Sequence, residues 1–98
     1  MSRLISIHEA AEAEINEAAD FYDLHNPGLG NEFLAEIGRT IRGISEFPEA
    51  APVVRGRLRK RSIAKFPYAL VYSVRPEEIR ILAVAHHKRR PFYWRSRR

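Results

Sequence analysis

The chain has 98 residues, no cysteine, 45% hydrophobic and 30% charged residues, and a net charge of +5. That length fits one domain spanning 1–98 with one modest core, and the composition is that of a soluble globular chain. A disulfide framework, a thiolate nucleophile and Cys-ligated zinc are excluded, and the longest uncharged run, Phe66–Val74, falls far short of the roughly 20 residues of a membrane span.

Charge is divided along the chain. Residues 1–50 hold three bases against ten acids, and residues 51–98 hold fourteen bases against two. The second half therefore points to an acidic or polyanionic partner. Five acids among the first 20 residues stand where a secretory signal would be apolar, so no such signal is expected here.

Leu4, Ile5 and Ile7 predict a short first strand. From His8 the period changes: Ala11, Ile15, Ala18, Tyr22 and His25 share one helix face. Glu12, Glu14, Glu17, Asp20 and Asp23 are assigned to the opposite face, and the early acids suit a helix N-terminus. Asn26-Pro27-Gly28 ends this helix. Phe33, Ile37, Ile41 and Ile44 predict a second helix, stopped by Phe47-Pro48. The short link makes the pair an antiparallel hairpin. Residues 49–56 contain Pro52 and Gly56 and read as a loop.

Three strands follow. Residues 57–66 begin as an alternating basic strand. Residues 66–74 are rich in aromatic and β-branched residues, with Pro67 marking a strand start or a break. Arg75-Pro76-Glu77-Glu78 is a turn. Residues 79–86 are apolar on both faces and predict an inner strand. The fold class is α+β: β-α-α-β-β-β, a helical hairpin on a mostly antiparallel four-stranded sheet.

Two basic clusters carry candidate chemistry. On a regular strand Arg57, Arg59 and Arg61 project from one face, where forked guanidiniums suit phosphate or carboxylate. The alternative is an edge strand guarded by charge. In the tail, residues 87–98, cations alternate with aromatics, which suits stacking on RNA bases or gripping an acidic protein surface. Pro91, Phe92 and Trp94 favour folding this tail back on the sheet, with Arg97 and Arg98 solvated. His8 and His25 read as helix-terminus residues. His86 and His87 are adjacent and on a strand would face opposite ways, so no metal site is expected. His86 reads either as a general base or as a hydrogen-bonded core histidine. No phosphate-binding glycine loop, Ser-His-Asp pattern or nucleophile elbow is present, and no cofactor is expected.

The stretch Ile81-Leu82-Ala83-Val84-Ala85-His86-His87-Lys88-Arg89-Arg90-Pro91-Phe92-Tyr93-Trp94 closely resembles the C-terminal signature of the RelE/ParE superfamily of type II toxin–antitoxin toxins. Ala18–Tyr22, Asn26–Phe33 and Phe66-Pro67-Tyr68 with Val71-Tyr72 fit the same pattern. The resemblance implies a small cytoplasmic, growth-inhibiting toxin neutralised in a hetero-oligomer by a cognate antitoxin with an acidic, partly disordered wrapping segment. Operator DNA would be bound only through that antitoxin, and no membrane is implicated.

Two branches divide by target. RelE-like members cleave mRNA on the ribosome without metal; Arg59, Arg61, His86 and Tyr93 are the candidates for that chemistry here. ParE-like plasmid stabilisation proteins bind DNA gyrase and catalyse nothing. For them Arg57, Arg59, Arg61, Arg89, Arg90, Tyr93 and Trp94 would form a target or antitoxin surface. The tail motif favours the ParE branch. Charge alone would also fit a non-toxic nucleic-acid-binding domain.

Overall fold

The structure is a computed structural model and describes residues 3–98. The elements are β1 (Leu4–Ile7), α1 (Glu9–His25), α2 (Leu29–Glu46), β2 (Val53–Arg55), β3 (Leu58–Ser62), β4 (Tyr68–Val74) and β5 (Glu78–His86). The sheet runs in the order β1-β5-β4-β3-β2. Only β1 pairs in parallel, with β5; the other pairings are antiparallel. The α+β class and the mostly antiparallel sheet stand as expected.

Among the described residues the strand count is five rather than four. Val53–Arg55 lies within the segment read as a loop. Gly56 takes a left-handed φ of 55°, and this tight turn folds Val53–Arg55 against Leu58 and Arg59. A three-residue strand between proline and glycine leaves too little alternation to be seen as a strand.

Each helix starts where its local chemistry allows. The His8 Nδ1 accepts from the Ala10 N–H and caps α1. His25 is the last residue of α1, and it is exposed rather than on the buried face. The Asp23 carboxylate accepts from Gly28 N–H and Gly30 N–H, at 3.2 and 2.7 Å, so α1 supplies the cap that α2 lacks in its own Gly28. A Cβ on Gly30 would sit 2.5 Å from the Ala19 carbonyl oxygen. Glycine there is what lets the two helices close together.

The core lies between the hairpin and one sheet face. Ala11, Ile15, Ala18, Phe33, Ile37 and Ile44 meet Leu70, Tyr72, Ile79, Ile81 and Val84. Near the middle of β5 the pairing shifts: Val71 faces Ala83, whereas Tyr72 faces Ile81. Leu82 is the extra residue of a β-bulge, and it reverses the alternation. Ile79 and Ile81 therefore face the helices before it, as Val84 does after it. Ala83 and Ala85 join Val71 in a second cluster on the other face. Trp94 covers that cluster.

Candidate functional site: the tail and its latch

β1 ends at Ile7, whose partner on β5 is Ile81. Beyond it, the remaining length of β5 has no neighbouring strand on that side among the described residues. Its polar groups there find side chains instead. The Val84 N–H donates to Glu14 Oε1 at 3.0 Å, and the Leu82 carbonyl accepts from Arg97 Nη1 at 3.0 Å. Glu14 and Arg97 also pair directly, at 2.9 Å (Nη1 to Oε1) and 3.2 Å (Nη2 to Oε2). The Tyr93 hydroxyl donates to Glu14 Oε2 at 2.7 Å. Arg89 completes the set, 3.7 Å from the same carboxylate. One helix side chain thus holds β5 and three tail residues together.

This latch corrects two expectations. Glu14 was assigned to the outer face of α1, yet its side chain is only 12% exposed. Arg97 was expected in solvent, yet its side chain is 17% exposed. The pairing satisfies the physics of a partly buried carboxylate. Burial alone would raise the Glu14 pKa. The bonds from Arg97, Tyr93 and the Val84 N–H outweigh that and hold it below the usual glutamate value.

The tail wraps the free edge of β5, with residues on both sides of the sheet. Tyr93 and Arg97 reach α1 on one side. On the other, Trp94 is buried on Val71, Ala83 and Ala85, and Phe92 meets it edge-on at 5.5 Å. Phe92 takes a left-handed φ of 62°, an unusual state for an aromatic residue. Packing against Trp94 on one side and Arg55 on the other (5.7 Å) accompanies that turn. The tail therefore hides an unpaired strand edge and an apolar sheet face in one stroke.

Its other cations remain outside. The Arg89 guanidinium stacks 3.8 Å from the Tyr93 ring centre and is half exposed. It borders a groove of about 250 Å³ between α1 and β5, also lined by Glu17, Phe21, Tyr68 and His86. On the sheet's other face, Lys60, His87 and Arg90 surround a smaller hollow of about 130 Å³ whose wall includes Phe92 and Trp94. Arg95 and Arg98 are exposed.

Of the strand candidates, Arg57 and Arg59 border one cleft and Arg61 does not. Arg57 lies in the turn, not on the strand. Arg59 donates through Nη1 to the Glu49 and Ala51 carbonyls. Arg61 lies over Gly43 of α2, where a Cβ would come within 2.6 Å of its guanidinium. The three arginines do not form the single row predicted from strand alternation, because β3 begins only at Leu58.

The proton-transfer candidates are occupied. His86 Nδ1 accepts from the Lys88 N–H at 3.0 Å, so the neutral ring carries its proton on Nε2 and has no free lone pair for a base. Burial, and then the Glu14 carboxylate, push the Tyr93 phenol far above its ordinary value. It is a donor locked in a structural bond. This geometry suits a binding surface better than an acid–base pair.

The family model for the ParE toxin of the type II toxin-antitoxin system, parDE, matches residues 5–91. The chain belongs to the ParE toxin family. A solved chain described as the chromosomal ParDE TA system from P. aeruginosa superposes with a TM-score of 0.76 at 16% identity, covering 86% of this ParE-family chain and 95% of that one. At that identity the likeness speaks to the fold. A search of curated protein sequences gives no match. The latch residue Glu14 lies inside the matched span, whereas its partners Tyr93 and Arg97 lie beyond it. Among the described residues, no helix is long and apolar enough to cross a membrane.

Proposed function

We propose that this chain is the toxin of a type II toxin–antitoxin pair, that it stops growth by binding DNA gyrase, and that residues 87–98 are its gyrase-binding surface. The observation that carries this reading is the latched tail. It presents Arg89 and Arg90 from a braced scaffold, while His86 and Tyr93 are both engaged in structural bonds. Cationic and aromatic side chains held in one conformation lose little entropy on docking. Arg, Tyr and Trp are the residue types that dominate interface energies.

A cognate antitoxin neutralises the toxin in a hetero-oligomer. Phe21, Leu24 and Leu34 are exposed on the hairpin at 54%, 85% and 41%. They suit the apolar face of an amphipathic segment, and the basic second half suits that segment's acids. The segment orders as it wraps the toxin. Operator DNA is recognised by the antitoxin. The pair works in the cytoplasm, where gyrase is.

The direct test is supercoiling by purified gyrase. The chain is expected to inhibit it at micromolar concentration. The paired change Arg89→Ala and Arg90→Ala is expected to weaken inhibition roughly thirtyfold, the effect of losing about 2 kcal/mol at an interface centre. No inhibition by folded protein, together with A-site mRNA cleavage that His86→Ala abolishes, would replace this reading with the ribonuclease one.

A further inference from the structure

At the end of the sheet far from the tail, a second basic site forms from segments distant in sequence. The parallel pairing sets Leu4 opposite Glu78, which brings Arg3 beside the β4–β5 turn that holds Arg75 and Pro76. The β2–β3 turn contributes Arg57, and Arg59 follows on β3. These four arginines line one open cleft of about 420 Å³, with Glu49 as its single acid. Four guanidiniums around one cleft repel each other unless an anion sits among them.

Three features prepare the cleft for such an anion. Arg59 is held in place by two carbonyls, both through Nη1. Arg75 is steadied by Glu78 at 3.0 Å. The Nε of Arg3 is buried and has no hydrogen-bond partner among the described residues. A buried guanidinium N–H without an acceptor is costly, so a small shift of Arg3 that opens this group to the cleft would let an oxyanion satisfy it. Arginine forks match the tetrahedral oxygens of phosphate in paired, charge-assisted bonds.

We infer that the cleft of Arg3, Arg57, Arg59 and Arg75 is a binding site for a phosphate group, separate from the latched tail. The group belongs either to a free pyrophosphate or nucleotide, or to the backbone of DNA. This site does not depend on the tail binding gyrase.

The test is a titration of the full chain, with Arg3 Nε–H followed by NMR and the affinity of each variant measured by calorimetry. Sodium pyrophosphate and a duplex of about 16 base pairs are added in separate arms. The Arg3 resonance is expected to shift on saturation. Arg3→Gln and Arg75→Gln, with folding confirmed by circular dichroism, are each expected to weaken binding about tenfold, as expected for a lost phosphate contact of this charge-assisted kind. Arg42→Gln, an exposed change on α2 with the same loss of charge, is expected to leave it unaltered. Tighter binding of the duplex, falling steeply with salt, identifies backbone phosphate as the source. Tighter binding of pyrophosphate identifies the free ligand. The inference is overturned if millimolar pyrophosphate and the duplex both leave Arg3 unmoved. It is equally overturned if Arg42→Gln weakens binding as much as Arg3→Gln, or if only a glutamate-rich peptide binds.

Discussion

Replacing Glu14 with alanine is expected to lower stability by about 2–4 kcal/mol, and to free the tail. The loss is large because one change strands several groups. Arg97 loses its counter-ion, while the Val84 N–H and the Tyr93 hydroxyl lose their acceptor. Breaking a largely buried ion pair costs about 3–5 kcal/mol, and each stranded polar group about 1–3; partial access of water keeps the sum at the lower figure. For a domain of this size that lowers Tm by roughly 10–25 °C. Urea unfolding measures it. The chain has one tryptophan, Trp94 in the tail, so a red shift in its emission reports release directly. Trypsin cutting at Arg95 is expected to accelerate in parallel.

The same latch fixes a pH dependence. The folded Glu14 pKa lies below its unfolded value of 4.5. Its contribution is therefore present above the unfolded value and lost as pH falls through the folded one. Glu14→Gln mimics the protonated side chain. The stability gap between the native chain and Glu14→Gln is expected to stay constant from about pH 8 to about pH 5, and to shrink in more acid solution. A gap independent of pH down to unfolding would mean that Glu14 packs without its charge.

Trp94→Ala is expected to cost about 3–5 kcal/mol, the usual range for deleting a buried large aromatic. Trp94 is 4% exposed and is the largest side chain over Val71, Ala83 and Ala85. Total stabilities of domains run about 5–15 kcal/mol, so the variant is expected to be marginal in the absence of antitoxin. Trp94→Phe keeps much of the buried area and is expected to lose less than half as much. Comparable losses from both variants in urea would place the energy in the indole N–H rather than in burial.

Local periodicity made the helices, the inner strands and the class of the fold legible. Ala11, Ile15 and Ala18 on α1, and Phe33, Ile37 and Ile44 on α2, repeat at helical spacing because one face meets the sheet. Glu14 lies at the border of that face, where periodicity does not tell an inward side chain from an outward one. Its meaning comes from Arg97, 83 positions away. Nothing local signals that contact, which depends on β1 stopping at Ile7 and on the bulge at Leu82. Strand β2 escaped notice because three residues carry no period. The arginine row failed for a related reason: Gly56 turns the chain at Arg57, so only Arg59 and Arg61 follow on the strand. Arg3 and Arg75 gave no signal as a pair, because only the parallel pairing of β1 with β5 joins them. The family motif in the tail pointed to a toxin, while the bonds that hold that tail appear only in three dimensions.

The most direct test of gyrase as the target is a pulse-label experiment in growing cells. The chain is expressed alone from a tight promoter, and thymidine and methionine incorporation are followed over the first minutes. Thymidine incorporation is expected to fail first and the SOS response to rise, and co-expression of the antitoxin is expected to prevent both. Methionine incorporation stopping first, with DNA synthesis still running, would contradict it and make translation the target.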